Sequence, residues 1–156
     1  MTKVAVVGNT TWGTTLAITL ARNGVSTTLL CRGQAEAQML QRDRQNKRFL
    51  DGVPFPPSLA VTANWQEIIG DSEVILFAVP SRTLRVNAQT VARFMTGSAV
   101  ILSATKGLDP ETGQRMTAIL EAEIGSGYID ALAAISGPNL AKEIAAGKPA
   151  TAVIAS

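Results

Sequence analysis

The sequence predicts an α/β protein: a doubly wound, mostly parallel sheet with helices on both faces. Three observations carry that prediction. The apolar runs are short and continuous rather than alternating, as in strands buried on both sides. A helical pattern fills almost every gap between them. Glycine or proline closes several runs, where a strand must give way to a turn. A chain of 156 residues is one domain by size and can bury a core without disulfides.

VAVV at 4–7 reads as the first strand, and TLAITLARNG at 15–24 as a helix stopped by Asn23-Gly24. TTLLC at 27–31 is a second strand, and AEAQMLQRDRQ at 35–45 a polar-faced helix. The stretch 49–62 holds three of the seven prolines, so it reads as loop ending in a short strand near 59–62. WQEIIG is a short helix, and EVILFAVP at 73–80 a strongly apolar strand ended by Pro80. A helix over about 82–95 and the strand AVILSA at 99–104 follow. DPETG is expected to open a helix over roughly 110–124. ALAAIS at 131–136 is a strand, NLAKEIAA at 139–146 a helix, and TAVIAS at 151–156 a last strand. That abrupt end leads us to expect one piece of a longer chain, with residues 1–156 forming a single domain.

Composition narrows the chemistry. There is no histidine and Cys31 is the only cysteine, so this chain has no internal disulfide, zinc site, or Ser-His or Cys-His nucleophile pair. A net charge of +2 is too small to argue for a nucleic-acid or membrane surface. No signal-peptide pattern or long apolar run is present, so a reducing cytoplasm is the expected compartment.

VVGNTTWG at 6–13 carries most of a dinucleotide-binding, Rossmann-like fingerprint. Gly8 lies where the first strand turns into a helix. Thr10 or Thr11 can cap that helix, whose free N–H groups and dipole suit an anion. Gly13 permits close helix–strand packing. The second glycine of G-x-G-x-x-G is Thr10 here. The other reading of these residues is an ordinary strand–helix turn. At the end of the second strand stands Arg32 rather than a carboxylate. A guanidinium suits a 2′-phosphate and so NADP(H); a solvated loop arginine is the alternative. AVPSR at 78–82 places Val79 and Pro80 on the loop after the fourth strand, beside a cofactor's ribose and nicotinamide side. SATKGLD at 103–109 puts the Lys106 cation at a strand's carboxyl end, where it can hold a phosphate or polarise a reacting oxygen, or be a plain exposed lysine. ISGPNLAKEI at 135–144 repeats the strand–glycine–helix pattern, with Asn139 as a cap after Pro138.

Together these segments resemble the bacterial-type NAD(P)-dependent glycerol-3-phosphate dehydrogenases, over nearly the whole chain. The resemblance runs through VVGNTTWGTTLA, ARNGV, NKRFLDGVPFP, AVPS, SATKGLDPETG, SGPNLAKE and GKPATAV, in that order. It implies hydride exchange between NAD(P)H, with NADP favoured, and dihydroxyacetone phosphate, giving sn-glycerol 3-phosphate for glycerophospholipid synthesis. It further implies cofactor contacts at Gly8, Asn9, Thr10, Thr11, Trp12, Gly13, Arg32, Phe49, Val79, Pro80, Lys106 and Ala141. Lys106, Gly137 and Asn139 would meet the substrate, Lys106 in a catalytic role. No metal is implied, and the full-length protein would be a homodimer.

Departures from the family pattern are local, with one exception. Thr10 replaces a glycine, Thr11 a serine, Asn139 a serine or threonine, and Leu140 a phenylalanine. The exception is the family's helical domain, with its proton-transferring lysine, which has no counterpart in these residues. The chain is therefore expected to bind cofactor without turning over alone. A related two-domain dehydrogenase for another hydroxy acid or alcohol, and a nucleotide-binding or redox-sensing module without catalysis, are the competing readings.

Overall fold

The computed structural model describes residues 2–156. Seven strands form one sheet in the order β3-β2-β1-β4-β5-β6-β7. They are β1 (Lys3–Val7), β2 (Ser26–Leu30), β3 (Ala60–Thr62), β4 (Val74–Phe77), β5 (Val100–Ser103), β6 (Leu132–Ser136) and β7 (Val153–Ala155). All neighbours pair parallel except β6 and β7, which run antiparallel. The intervening helices are α1 (Thr11–Arg22), α2 (Gln34–Asp43), α3 (Trp65–Asp71), α4 (Ser81–Ala92), α5 (Met116–Ile124) and α6 (Ala141–Ala145). A 3-10 turn at Ser126–Ala131, unsignalled in the sequence, leads into β6.

Alternation along β1 builds two apolar layers, because successive side chains leave opposite faces of a strand. Val4 and Val6 join Ala17 and Ile18 of α1, Ala37 and Leu40 of α2, and Ala145 of α6. Ala5 and Val7 join Ile69 of α3, Leu84 of α4, and Ile119 of α5. Each fully buried aliphatic side chain adds about 1.5–3 kcal/mol of transfer free energy. This explains the continuous apolar runs: both faces of β1 and β4 are covered.

Helix ends follow local chemistry. Asn23 Nδ2 donates to the Thr19 carbonyl (2.8 Å), and Gly24, at φ +78°, takes the left-handed turn that ends α1. Asn64 accepts from Glu67 N at the start of α3 and donates back to the Glu67 carboxylate (2.7 Å), a reciprocal cap.

Two expectations need correction. The helix expected from 110 starts only at Met116. Residues 109–114 close a turn instead: Asp109 N donates to Gln114 O and Gly113 N to Asp109 O, with Gly113 at φ +69°. Leu108 and Arg115 then pair as an antiparallel bridge. The other correction is that α6 is five residues and its cap is Leu140, so Asn139 caps nothing. No helix among the described residues is long and apolar enough to cross a membrane.

Candidate functional site

The sheet reverses its winding between β1 and β4, which opens a crevice at the carboxyl ends of the central strands. The Gly8–Gly13 turn sits there. Gly8 has φ +112°, and a Cβ on it would lie 2.7 Å from the Ala78 carbonyl oxygen. At Gly13 a Cβ would fall 1.9 Å from the Gly8 carbonyl oxygen. Both positions exclude a side chain. At Gly13 the close approach is to the turn itself rather than to a neighbouring strand. The turn is thus folded tightly onto the start of α1.

Thr10 is the residue preceding α1, in extended conformation (φ −76°, ψ −176°). That conformation needs no glycine, so threonine is accommodated without backbone strain. Its side chain makes no capping hydrogen bond, and Thr11 does not cap either: its Oγ1 donates to the Phe49 carbonyl (3.0 Å). The hydroxyl cap expected at this helix start is therefore absent. The first N–H groups of α1 have no intrahelical acceptor. With the dipole behind them, they form an anion-accepting cradle whose close backbone packing any Cβ at Gly8 or Gly13 would break.

What holds the cradle is a loop more than thirty residues away. Asn46, buried, donates from Nδ2 to the Asn9 carbonyl (2.7 Å) and to Thr14 Oγ1 (2.9 Å). Its Oδ1 accepts from Phe49 N (3.3 Å). Asn9 Nδ2 turns to Cys31 Sγ (3.6 Å). Burial, the nearby Glu36 charge acting in the same direction, pushes the Cys31 thiol up to about 12 despite the Asn9 contact, so it stays protonated and inert. Phe49 is half-buried, with the Arg48 guanidinium over its ring at 4.9 Å.

Arg32 follows β2, is exposed, and has no ion-pair partner among the described residues. It lines a groove with Asn64, Trp65, Asn87 and Phe94. The Trp65 indole N–H donates to the Cys31 carbonyl (2.7 Å), fixing that ring beside Arg32. Lys106 follows β5. Its Nζ lies 5.3 Å from the centre of the Trp12 ring and donates to the Asn139 carbonyl (3.2 Å). Trp12 in turn donates to the Ala104 carbonyl (3.1 Å). Arg32 and Lys106 thus occupy one rim of the sheet, separated by three strand spacings, about 14 Å at ~4.8 Å each.

Beyond Lys106 opens a cavity of about 680 Å³, lined by Ser103, Lys106, Arg115, Ser136 and Gly137 among others. Two buried polar atoms have no hydrogen-bond partner: Ser103 Oγ, on a residue lining this cavity, and Asn139 Oδ1, on a residue lining a separate one with Trp12 and Ile135. Gly137 is tightly enclosed: a Cβ there would lie 2.5 Å from the Thr151 carbonyl oxygen. Val79 is buried, with its N–H donating to Thr105 Oγ1 (3.3 Å), and Pro80 precedes α4. Ala141 offers its carbonyl to Thr15 Oγ1 (3.3 Å), tying α6 onto α1. Among the described residues no three His, Cys, Asp or Glu side chains are placed to hold a metal.

The structure therefore gathers Gly8–Gly13, Phe49, Val79, Lys106, Gly137 and Asn139 around one rim, with Arg32 at its far side. Sequence reasoning missed Asn46 and Trp65. Their partners lie 32–37 and 34 positions away, and no local pattern announces such bonds.

Comparison with known proteins gives a consistent result. The family model described as "NAD-dependent glycerol-3-phosphate dehydrogenase N-terminus" matches residues 3–156. A glycerol-3-phosphate dehydrogenase [NAD(P)+] of Dehalococcoides mccartyi is 40% identical over 156 residues, 99% of this chain and 44% of the relative. One from Aliivibrio fischeri is 38% identical, covering 98% and 44%. The crystal structure of glycerol-3-phosphate dehydrogenase from Coxiella burnetii superposes with a TM-score of 0.87 at 28% identity, covering 98% of this chain and 46% of that one. A ketopantoate reductase from Ralstonia eutropha shares the fold at a TM-score of 0.64 and 17% identity. The chain spans about half the length of the curated relatives it matches.

Proposed function

We propose that this chain, which belongs to the NAD-dependent glycerol-3-phosphate dehydrogenase family, is the nucleotide-binding part of an enzyme that reduces dihydroxyacetone phosphate to sn-glycerol 3-phosphate. One observation carries the reading: the tight Gly8–Gly13 turn, where neither glycine has room for a Cβ, lies with the uncapped helix start behind it at the winding reversal of the sheet. A diphosphate fits there because the N–H groups of the first turn of α1 have no other acceptor. The relatives' names carry NAD(P)+, and this chain takes the same cofactors on this reading. The nicotinamide supplies the hydride.

The residues divide the work by position. Asn9, Thr10, Thr11 and Trp12 present backbone to the diphosphate. Arg32 meets the adenosine ribose, and its guanidinium favours a 2′-phosphate, hence NADP(H). Phe49 flanks the same end, while Val79, Pro80 and Ala141 border the cofactor. Lys106 faces both cofactor and substrate, holding the substrate phosphate or polarising the carbonyl oxygen as negative charge develops on it. Gly137 and Asn139 border the substrate, where Asn139 Oδ1 is an unspent acceptor for a hydroxyl. The proton for the product hydroxyl comes from a lysine outside residues 1–156, as in the family pattern, so this chain binds without turning over. The full-length enzyme acts as a cytoplasmic homodimer feeding glycerophospholipid synthesis.

Titration of this chain and of the full-length protein with NADPH and NADH tests the reading. Both proteins are expected to bind, NADPH more tightly. Only the full-length protein should oxidise NADPH when dihydroxyacetone phosphate is added. Absence of binding in both proteins would reject the reading.

A further inference from the structure

Asn46 sits on a loop, where asparagines are ordinarily solvated, yet it is only 2% exposed. Both of its N–H directions and its carbonyl oxygen are used, on Asn9 O, Thr14 Oγ1 and Phe49 N. Thr14 Oγ1 donates to the same Asn9 carbonyl (3.1 Å), which therefore accepts from two side chains. The opposite strap runs from Thr11 Oγ1 to the Phe49 carbonyl. The turn at 9–14 and the loop at 46–50 are thus tied by a closed ring of hydrogen bonds. Such a paired, buried network rigidifies the backbone it touches.

One peptide unit decides what this rigidity accomplishes. In a trans peptide the carbonyl of one residue and the N–H of the next point in opposite directions, and the described chain has no cis bonds. Two donors hold the Asn9 carbonyl on the loop side, so the Thr10 N–H points away from it. Thr10 immediately precedes α1, where the N–H has no intrahelical acceptor. We infer that Asn46 is a positioning residue for the diphosphate: it clamps the Asn9–Thr10 peptide so that the Thr10 N–H faces the anion. The inference rests on the dinucleotide reading above and assigns a determinant that touches no ligand.

The test uses NADPH and NADH fluorescence titrations of the wild type and three variants. Asn46→Ala should raise both dissociation constants about tenfold or more, the scale of one well-oriented charge-assisted hydrogen bond. Thr14→Val, which removes one donor and one acceptor of the ring, should raise them severalfold; it decides the matter if Asn46→Ala does not fold. Tyr128→Phe deletes a hydrogen bond to Gly97 O remote from the rim and should bind as wild type. An amide spectrum separates positioning from general loosening. NADPH should move the Thr10 N–H resonance in the wild type and leave it unmoved in Asn46→Ala, while Arg32 still responds. Failure of the wild type to bind either nucleotide would sink the dinucleotide reading itself. Wild-type binding with unchanged affinity in folded Asn46→Ala, or in Thr14→Val when that variant decides, would overturn the role of Asn46 alone. So would an equal loss in Tyr128→Phe.

Discussion

The two sides of the rim are built differently. Around Gly8–Thr14 the polar groups are spent on one another: Asn46, Thr14, Thr11 and Phe49 form a closed ring, and the glycines are packed against backbone. Around Lys106 and Asn139 the bonding is incomplete, although Lys106 Nζ does reach the Asn139 carbonyl. Lys106 is exposed, Ser103 Oγ and Asn139 Oδ1 lack partners, and β7 carries Val153 and Ile154 at 71% and 63% exposure. On the proposed reading, the first side is preorganised for an invariant piece of ligand, a diphosphate. On the same reading the second retains polar groups for the variable piece, the substrate, and it is left open by the described residues. Hydride transfer needs a dry, oriented site, so binding is expected to be a property of the first side and chemistry to depend on what completes the second.

Matched glycine substitutions press this contrast hardest. Gly13→Ala drives a Cβ to 1.9 Å from the Gly8 carbonyl oxygen, backbone of the turn that the ring of bonds braces. It should cost about 3 kcal/mol or more in urea unfolding and abolish NADPH binding. Gly137→Ala meets Thr151 O at 2.5 Å, but on the exposed segment leading into the edge strand β7, which can shift. A loss near 1 kcal/mol is expected there, on the order of mild overpacking, with cofactor affinity retained. Equal losses in the two variants would erase the distinction between the sides.

Lys106→Ala comes next. In the full-length enzyme it should lower kcat for dihydroxyacetone phosphate reduction by roughly 100-fold, the usual scale for removing one charge-stabilising donor. The NADPH dissociation constant should rise only severalfold, because Lys106 meets the cofactor at one end and the ring around Asn46 is untouched. Steady-state kinetics beside equilibrium binding will show whether rate and affinity separate.

Smaller effects sharpen the cofactor side. Arg32→Asp should swing the NADPH-to-NADH affinity ratio towards NADH by about tenfold or more, since a charge-assisted bond to phosphate is replaced by repulsion. An unmoved ratio would make Arg32 a solvated bystander of its groove. Thr10→Gly is expected to tighten NADP(H) binding by about threefold at most, near 0.6 kcal/mol. The side chain makes no capping bond and stands at the cradle's mouth, while the backbone gains nothing from glycine at φ −76°. Calorimetric titration giving equal or weaker binding would show that the threonine is no obstacle.

Much of the fold was legible in the sequence because burial on both faces writes itself as apolar runs such as VILF at 74–77. The direction of the last strand was not. Its apolar run carries no polarity, and geometry decides it. A parallel partner for β6 requires the chain to recross the sheet, whereas the five-residue α6 rises only about 7.5 Å at 1.5 Å per residue. The chain therefore returns at the same rim and pairs antiparallel. DPETG misled for a related reason. Asp-Pro opens helices but also turns, and Gly113 in the left-handed region selects the turn. At the site, the glycines and Lys106 were readable from their places after strands, while Asn46 was not. A buried amide is identified by its partners, and here they are Asn9, Thr14 and Phe49, brought together only by the folded sheet.

A crystal structure of the protein soaked with NADPH decides where the diphosphate sits. Diphosphate oxygens are expected within hydrogen-bond distance of the Thr10–Trp12 N–H groups, with Arg32 at the adenosine end and Lys106 at the nicotinamide end. A diphosphate bound instead in the cavity beside Arg115, with the Gly8–Gly13 turn bare, would contradict this placement.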